Sequence, residues 1–195
     1  MYVPLSLLRR HVRESNLIEQ IRQRSGVALV SSHLNAAVQV SRRYRHELLN
    51  PLEIHAWLSH RTSMEWFGGH MRTCDVYVGK WDMPRWEEVP NLLGQWWSLV
   101  KSKDEEMRHA PKKERERMAR LLHDLLLCVH PFRDGNGRTS RLFLNQLRLR
   151  WGLPWLIIEY RKRGIYYRRI EHTQETIFRP SYPHVFPKDR INLEP

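Results

Sequence analysis

The chain has 195 residues, of which 41 % are hydrophobic and eight are tryptophan, which is enough for one domain with a proper core rather than a disordered segment. No run approaches the roughly 20 apolar residues of a membrane span. There is no secretion-signal pattern, and the two cysteines form no metal or disulfide pattern, so we expect a cytoplasmic protein. The net charge of +12 permits binding to nucleic acid or to an acidic protein surface, but charge alone selects neither.

The first predicted unit is an N-terminal segment, residues 1–24. Ser6 is a candidate N-cap for one helical turn, and Ser15 is a candidate N-cap for a second turn that carries Ile18 and Ile21. This segment precedes a predicted core that spans residues 25–178.

Two amphipathic helices and an extended segment open that core. Apolar residues recur at helical spacing over Val27–Val40 and Leu48–His60. The character changes at Gly68–Gly79, where glycines bracket β-branched and aromatic residues, namely Val76, Tyr77 and Val78. This pattern predicts a β-hairpin or an extended flap.

The second half of the core is predicted to be helical. An amphipathic helix covers the tryptophan-rich stretch around Trp96, and the mixed charges of Lys101–Glu116 predict a solvated loop and a helix start. The apolar stripe from Met118 to Val129 predicts a buried helix, which should stop at His130 because a proline follows. A further helix should end at Gly152. The fold class is therefore all-α with a small β-hairpin, followed by an irregular tail, residues 179–195.

The stretch His130–Arg141 concentrates the candidate chemistry. Gly135 and Gly137 permit close approach of the backbone to a ligand, and the free N–H groups at the start of the next helix favour anions. Asp134 is placed to hold Mg²⁺, or Mn²⁺, against phosphate oxygens. His130 is the only base in the stretch, and the stretch therefore predicts a polyphosphate site equipped with a base.

These twelve residues resemble the Fic family motif, His-x-Phe-x-(Asp/Glu)-Gly-Asn-Gly-Arg-x-x-Arg, at every specified position. The resemblance implies a nucleotidyltransferase that moves AMP from ATP to a Ser, Thr or Tyr hydroxyl of a target protein. His130 would be the general base, and the loop with the Asn136 side chain would steady the developing charge. Arg138 and Arg141 would grip the β- and γ-phosphates. The motif residues assigned to the nucleotide and its cation are Asp134, Gly135, Asn136, Gly137, Arg138, Thr139, Ser140 and Arg141.

The resemblance extends from roughly Ser15 to Gln174. Gly69 to Arg72 and Val76 to Gly79 match the family's flap, whose strand edge would clamp the target by main-chain pairing. The alternative for this segment is a purely structural hairpin. A tyrosine pair of the family contacts the nucleotide, and a family asparagine falls near Gln174. The resemblance thus adds these residues to the nucleotide site: Val76, Tyr77, Val78, Gly79, Tyr166, Tyr167 and Gln174.

Ser15-Asn-Leu-Ile-Glu19 resembles the Fic inhibitory helix, (Ser/Thr)-x-x-x-Glu-(Gly/Asn), with Gln20 as a departure from the pattern. In the family that glutamate pairs with the motif's second arginine, Arg141 here, and keeps the γ-phosphate from seating. Glu19 is therefore the candidate inhibitory residue. The alternative is a surface glutamate that merely complements a helix dipole.

Other functions stay open at this point. The same motif serves other nucleotides, phosphocholine transfer or removal of AMP, and a γ-phosphate branch carries lysine where Gly137 stands here. From a different class, the basic cluster of Arg161–Arg169 allows a nucleic-acid-associated module, and a toxin–antitoxin component would co-purify with a small partner. The sequence names neither the target protein nor its acceptor residue, and a homo-oligomer is compatible with it.

Overall fold

A computed structural model describes residues 2–21, 27–79 and 81–182. Its helices are α1 (Leu5–Ile18), α2 (Val27–Arg43), α3 (Pro51–Ser59), α4 (Val89–His109), α5 (Lys112–Val129), α6 (Asn136–Arg150), α7 (Arg163–Thr173) and α8 (Arg179–Ser181). Short 3-10 turns lie at Glu65–Phe67, Trp86–Glu88 and Tyr160–Lys162, and a π-helical turn, Gln174–Phe178, links α7 to α8. Two strands, β1 (Tyr77–Val78) and β2 (Trp81–Asp82), pair antiparallel. The prediction of an all-α fold with a small β-hairpin is confirmed.

Helix α6 is the centre of the domain. It packs against α5, α2, α3 and α1, and its apolar side chains are almost completely buried on every side: Leu142, Phe143, Leu144, Leu147 and Leu149. Its polar side chains are buried as well, including Arg138, Arg141, Asn145, Gln146 and Arg148, so the helix lies inside the domain on every face. Each fully buried leucine contributes about 2 kcal/mol. The first turn of α6 is the glycine loop, so the candidate site is built on a helix that is buried on all sides.

Local sequence explains the ends of the neighbouring helices. Asn50 caps α3, because its side chain accepts a hydrogen bond from Leu52 N–H while Glu53 accepts one from Asn50 N–H. Helix α5 ends at Val129, as the proline at position 131 predicts. The α5 helix therefore delivers His130 to the start of the loop that leads into α6.

The prediction of a solvated loop within Lys101–Glu116 is wrong, whereas the helix start predicted in the same stretch is found at Lys112. Helix α4 continues to His109, and α5 begins at Lys112 after a break at Ala110 and Pro111. The mixed charges pair along the helix, for example Lys103 with Glu106 at 2.7 Å, and such pairs stabilise a helical surface. Charge alternation in this stretch indicates an exposed helix face rather than a loop.

The two helical segments predicted at the N-terminus are one continuous helix, so neither Ser6 nor Ser15 is an N-cap. Both lie within α1, and Ser15 is 1 % exposed. Residues 1, 22–26, 80 and 183–195 lie outside the described residues, and they include the end of the predicted N-terminal segment and most of the predicted tail. Within the described ranges, no helix is both long and apolar enough to cross a membrane.

Candidate active site

His130 occupies a strained backbone position between α5 and the glycine loop. Its φ of 50° and ψ of 58° lie in the left-handed region, which non-glycine residues rarely adopt. Backbone hydrogen bonds hold this conformation: His130 N–H donates to Leu126 O at 3.1 Å, and Arg72 Nε donates to His130 O at 2.9 Å. Strain that the surrounding structure maintains is typical of functional residues.

The hydrogen bond of the imidazole fixes which nitrogen can act as a base. Nδ1 of His130 lies 3.3 Å from Leu127 O, and a carbonyl can only accept, so Nδ1 carries the proton. Nε2 therefore keeps its lone pair. Removal of the ring from water is the main reason that the pKa of His130 falls to about 4, and the nearby Arg72 cation lowers it further. At neutral pH the residue is an uncharged imidazole with a free Nε2.

The Asn136 side chain closes the glycine loop. Its Oδ1 accepts from Phe132 N–H at 2.9 Å, and its Nδ2 donates to Phe132 O at 2.7 Å. The amide nitrogen carries two N–H donors and one of them binds Phe132 O, so the role expected for this side chain, steadying charge on the substrate, stays a prediction. What the loop offers an anion is backbone: Gly135 caps α6 with a φ of 80°, and the first N–H groups of a helix have no helical carbonyl partner.

Asp134 is the one carboxylate of the loop. Its side chain is 63 % exposed, and Arg138 Nη2 approaches its Oδ2 to 3.2 Å. Among the described residues no group of three or more His, Cys, Asp or Glu could hold a metal. A single exposed carboxylate nevertheless fits Mg²⁺, which is commonly bound by one or two carboxylates together with substrate phosphates and water.

Arg138 carries donors that await an acceptor. The residue is 1 % exposed, and its Nε and Nη1 have no hydrogen-bond partner. Burial lowers its pKa, since the surroundings disfavour the charged form. A buried arginine with two unpartnered nitrogens beside a helix N-terminus matches a site for phosphate oxygens.

Arg141 and helix α1 meet in a dense set of contacts. Nε of Arg141 donates to Ser15 Oγ at 2.8 Å, and Nη2 donates to Ser15 O at 3.1 Å and to Glu19 Oε1 at 2.7 Å. Burial alone would lower the pKa of Arg141, but the Glu19 carboxylate and Tyr166 raise it above its usual value. Ser15, expected as a helix cap, is thus an arginine ligand inside α1.

Glu19 is held at the end of α1 by a Schellman motif. Ile21 N–H donates to Asn16 O and Gln20 N–H donates to Leu17 O, both at 3.0 Å. Gln20 has a φ of 57°, in the left-handed region that glycine and asparagine tolerate best. The backbone therefore explains the family preference for Gly or Asn at the position where this chain has Gln20.

A cavity of about 380 Å³ lies between these elements. The predicted site residues that line it are Glu19, Val78, Gly79, His130, Gly137, Arg141, Tyr166, Tyr167 and Gln174. Four further lining residues were not predicted: Met83, Leu127, Ile170 and Glu171. The remaining predicted residues are not among its lining: Val76, Tyr77, Asp134, Gly135, Asn136, Arg138, Thr139 and Ser140. Thr139 and Ser140 are buried, and Thr139 Oγ1 has no hydrogen-bond partner.

Two residues outside the predicted nucleotide site, Arg72 and His55, connect the flap to the motif loop. Arg72 donates to Cys74 O at 2.9 Å and to Pro84 O at 2.5 Å, in addition to its bond to His130. His55 accepts from Gly69 N–H at 3.0 Å through Nδ1, so its Nε2 carries the proton and donates to Asp134 O at 3.0 Å. The Arg72 position in the Gly69 to Arg72 pattern was the available signal. No local pattern marks His55.

The sequence is similar to those of known proteins. The sequence model of the Fic/DOC family matches residues 50–147, which end within α6. The chain is 34 % identical over 164 residues to a protein adenylyltransferase Fic of Aedes aegypti, and the alignment covers 84 % of this chain and 31 % of that protein. It is 33 % identical over 130 residues to a protein of the same name from Nematostella vectensis, with 66 % and 29 % covered. The chain thus spans about a third of the length of these relatives.

Solved structures show the same fold. A Fic domain-containing signaling protein from Bacteroides thetaiotaomicron superposes with a TM-score of 0.73 at 17 % identity, covering 88 % of this chain and 73 % of that one. Fic-1 from C. elegans superposes with a TM-score of 0.67 at 22 % identity, covering 95 % and 62 %. At these identities the likeness concerns the fold.

Proposed function

Because the chain belongs to the Fic/DOC family, we propose that it transfers AMP from ATP to a hydroxyl group of a protein. The observation that carries this proposal is the shared cavity of His130, Gly137 and Arg141. It combines a neutral base, the N-terminus of a buried helix and a buried arginine. The relatives named protein adenylyltransferase Fic support the same reaction.

His130 would start the reaction. A Ser, Thr or Tyr hydroxyl is too weakly acidic to attack phosphorus unaided, so Nε2 would take its proton as the new O–P bond forms. The bond between the α-phosphorus and the bridging oxygen to the β-phosphate breaks, and pyrophosphate leaves. A positioned base of this kind contributes roughly 10²–10⁴-fold to the rate.

The phosphate chain of ATP would lie against the start of α6. The free N–H groups of the glycine loop stabilise negative charge, and they cost no reorganisation because α6 is fixed by its packing. Arg138 has two unpartnered buried nitrogens, and Arg141 presents its guanidinium to the cavity. Both arginines can bind phosphate oxygens in fork geometry.

Asp134 would hold Mg²⁺ or Mn²⁺. Its exposed carboxylate suits a hard cation shared with phosphate oxygens. When bound, the cation neutralises negative charge on the phosphates. Arg138, which already contacts Asp134, would hold the carboxylate in place for this role.

Glu19 would keep the site closed. Its carboxylate occupies Arg141 at 2.7 Å, and a side chain atom at Gly137 would clash with it, so Glu19 lies directly over the loop. A γ-phosphate and this carboxylate are both anions that need the same guanidinium. We therefore propose that the chain is autoinhibited and that displacement of Glu19 activates it.

The target protein would dock along the flap. Tyr77 and Val78 are exposed on a two-residue strand beside the cavity, and main-chain pairing at a strand edge sets register with little demand on sequence. The acceptor hydroxyl would then face His130. Cys74 and Cys128 are both free thiols, which suits the cytoplasmic location that we propose.

Removal of AMP from a modified protein is the second candidate reaction, since Glu19 places a carboxylate inside the cavity next to His130. A labelling experiment separates the candidates. With the Glu19→Gly protein, AMP transfer predicts label in protein from ATP labelled at the α-phosphate and none from ATP labelled at the γ-phosphate. Label from the γ-position would replace AMP transfer by a kinase reaction. Loss of AMP from a modified protein by the unaltered chain, without labelling, would favour the second candidate.

A further inference from the structure

A buried chain of hydrogen bonds runs from the cavity into the middle of α5. Arg141 Nη1 lies 3.3 Å from the Tyr166 hydroxyl, and that hydroxyl lies 3.3 Å from His123 Nε2. Nδ1 of His123 lies 2.7 Å from Asp124 Oδ1. None of these four residues is more than 4 % exposed. Ordinary core packing does not require such a succession of buried polar groups in the apolar second half of α5, Met118–Val129.

The protons of this chain have one consistent arrangement. A carboxylate can only accept, so His123 Nδ1–H donates to Asp124, and His123 Nε2 accepts from the Tyr166 hydroxyl. The hydroxyl oxygen then accepts from Arg141. Burial lowers the pKa of His123, which keeps its ring neutral and Nε2 able to accept. The donors and acceptors therefore all point from Arg141 towards Asp124.

The far end of the chain is anchored on α7. Arg169 donates from Nε and Nη2 to the two carboxylate oxygens of Asp124, both at 2.8 Å. Burial alone would raise the pKa of Asp124, but the hydrogen bonds from His123 and Arg169 outweigh it and lower the pKa. Asp124 is thus a fixed anion whose charge is balanced by Arg169. The anchor involves α5 and α7 and no residue of α1.

These hydrogen bonds matter because the other partners of Arg141 lie on α1. The other side-chain hydrogen bonds of Arg141 go to Ser15 and Glu19, which both belong to α1 or its cap. Departure of Glu19 removes the ion pair that orients Arg141, and movement of α1 removes the Ser15 contacts too. Tyr166 is the partner of Arg141 that does not depend on α1.

We propose that Asp124, His123 and Tyr166 form a positioning relay that holds Arg141 in place to receive a phosphate once Glu19 has left. The inference rests on the proposed function. His123 and Asp124 do not line the cavity, so they act through Tyr166 and not on the substrate. In the inhibited state Arg141 binds α1. The relay would keep Arg141 in the same position after α1 has released it, so that it can bind a phosphate.

A double-mutant cycle in the Glu19→Gly protein tests the relay. The variants are Tyr166→Phe, His123→Leu and their combination, and the readouts are KM for ATP and the Kd of a non-hydrolysable ATP analogue. Each single change should weaken binding about tenfold, as expected for a hydrogen bond to a charged group. The combination should be within about twofold of Tyr166→Phe alone, because His123 acts through the hydroxyl that this change removes.

A conservative variant separates positioning from structural support. The amide oxygen of His123→Gln can still accept from Tyr166, so this change should recover part of the binding lost in His123→Leu. It should recover none in the Tyr166→Phe protein. Tyr44→Phe is the matched control, since Tyr44 is also buried, and its hydroxyl accepts from Arg45 at the opposite end of α6, where Tyr44 O binds Arg150. Its Kd should not change.

The outcomes distinguish the relay from the reaction. Losses that multiply to about a hundredfold in the combined variant would overturn the relay, because they would show independent structural roles. The same holds if His123→Gln binds no better than His123→Leu. A non-additive loss of binding supports the relay even if no AMP is transferred, whereas binding without any transfer by the Glu19→Gly protein overturns the proposed function alone.

Discussion

Glu19 Oε1 lies 2.7 Å from Arg141 Nη2, although 122 residues separate the two along the chain. The arginine is 1 % exposed at its side chain and the glutamate is partly exposed, so the pair lies at the boundary between core and cavity. Removal of one residue of such a pair leaves the charge of the other buried and unpaired, which is destabilising. The ion pair therefore couples the position of α1 to Arg141 and the proposed phosphate site.

The end of α1 should respond to relief of backbone strain. Gln20→Gly removes the cost of a left-handed non-glycine residue, which is about 1 kcal/mol, and should favour the docked α1. We expect a higher melting temperature and lower basal self-labelling. The control is Arg61→Gly, because Arg61 has a φ of 56° but follows α3. It should raise the melting temperature without changing labelling, and a fall in labelling with both variants would contradict the assignment.

Arg72 should matter for both stability and activity. Arg72→Met leaves the carbonyls of His130, Cys74 and Pro84 without their donor, which should cost about 3 kcal/mol or more. Urea denaturation measures the loss of unfolding free energy. Self-labelling should also fall, because Arg72 no longer connects His130 to the flap. Arg72→Lys should rescue little, since one ammonium group cannot reach three carbonyls in fork geometry. Full activity of Arg72→Lys would show that charge alone suffices.

The pH profile of the Glu19→Gly protein should reflect the neutral state of His130. The base must be unprotonated, and activity is lost as the pH falls through the pKa of His130. Burial lowers that pKa to about 4 in the unaltered chain, and loss of the Glu19 carboxylate lowers it further. An ordinary histidine would lose activity near pH 6.5. We therefore expect kcat/KM for ATP to stay level between pH 8 and about pH 5.5. A decline centred near pH 6.5 would contradict the buried environment assigned to this ring.

The local chemistry of the site was predictable from the sequence because it is contiguous. His130, the glycine loop and Arg141 fall within twelve residues, and Pro131 marks the end of α5. The flap pattern predicted a hairpin, and in the structure Tyr77 pairs with Asp82 and Val78 pairs with Trp81. The contact of Glu19 with Arg141 was predictable only through the spacing from Ser15 that resembles an inhibitory helix.

What the sequence could not provide are contacts between distant segments. Ser15 suits an N-cap in isolation, but its hydroxyl and carbonyl oxygens accept hydrogen bonds from Arg141, 126 residues away. The sequence marks Asn136 as a candidate oxyanion donor but not the two hydrogen bonds by which its amide closes the loop on Phe132. His123 lies beside the apolar stripe of α5, and no local pattern shows that Tyr166 is next to it. Each of these depends on packing that no periodicity encodes.

The most direct test of a gated nucleotidyl-transfer site is the rate of self-labelling by α-phosphate-labelled ATP in the unaltered chain and in Glu19→Gly. We expect a clear rise in the Glu19→Gly protein, because Arg141 is then free for the γ-phosphate. We also expect the loss of that label when His130→Ala is added. An unchanged rate in the Glu19→Gly protein would contradict inhibition by Glu19. Undiminished labelling after His130→Ala would contradict the role of His130 as the general base.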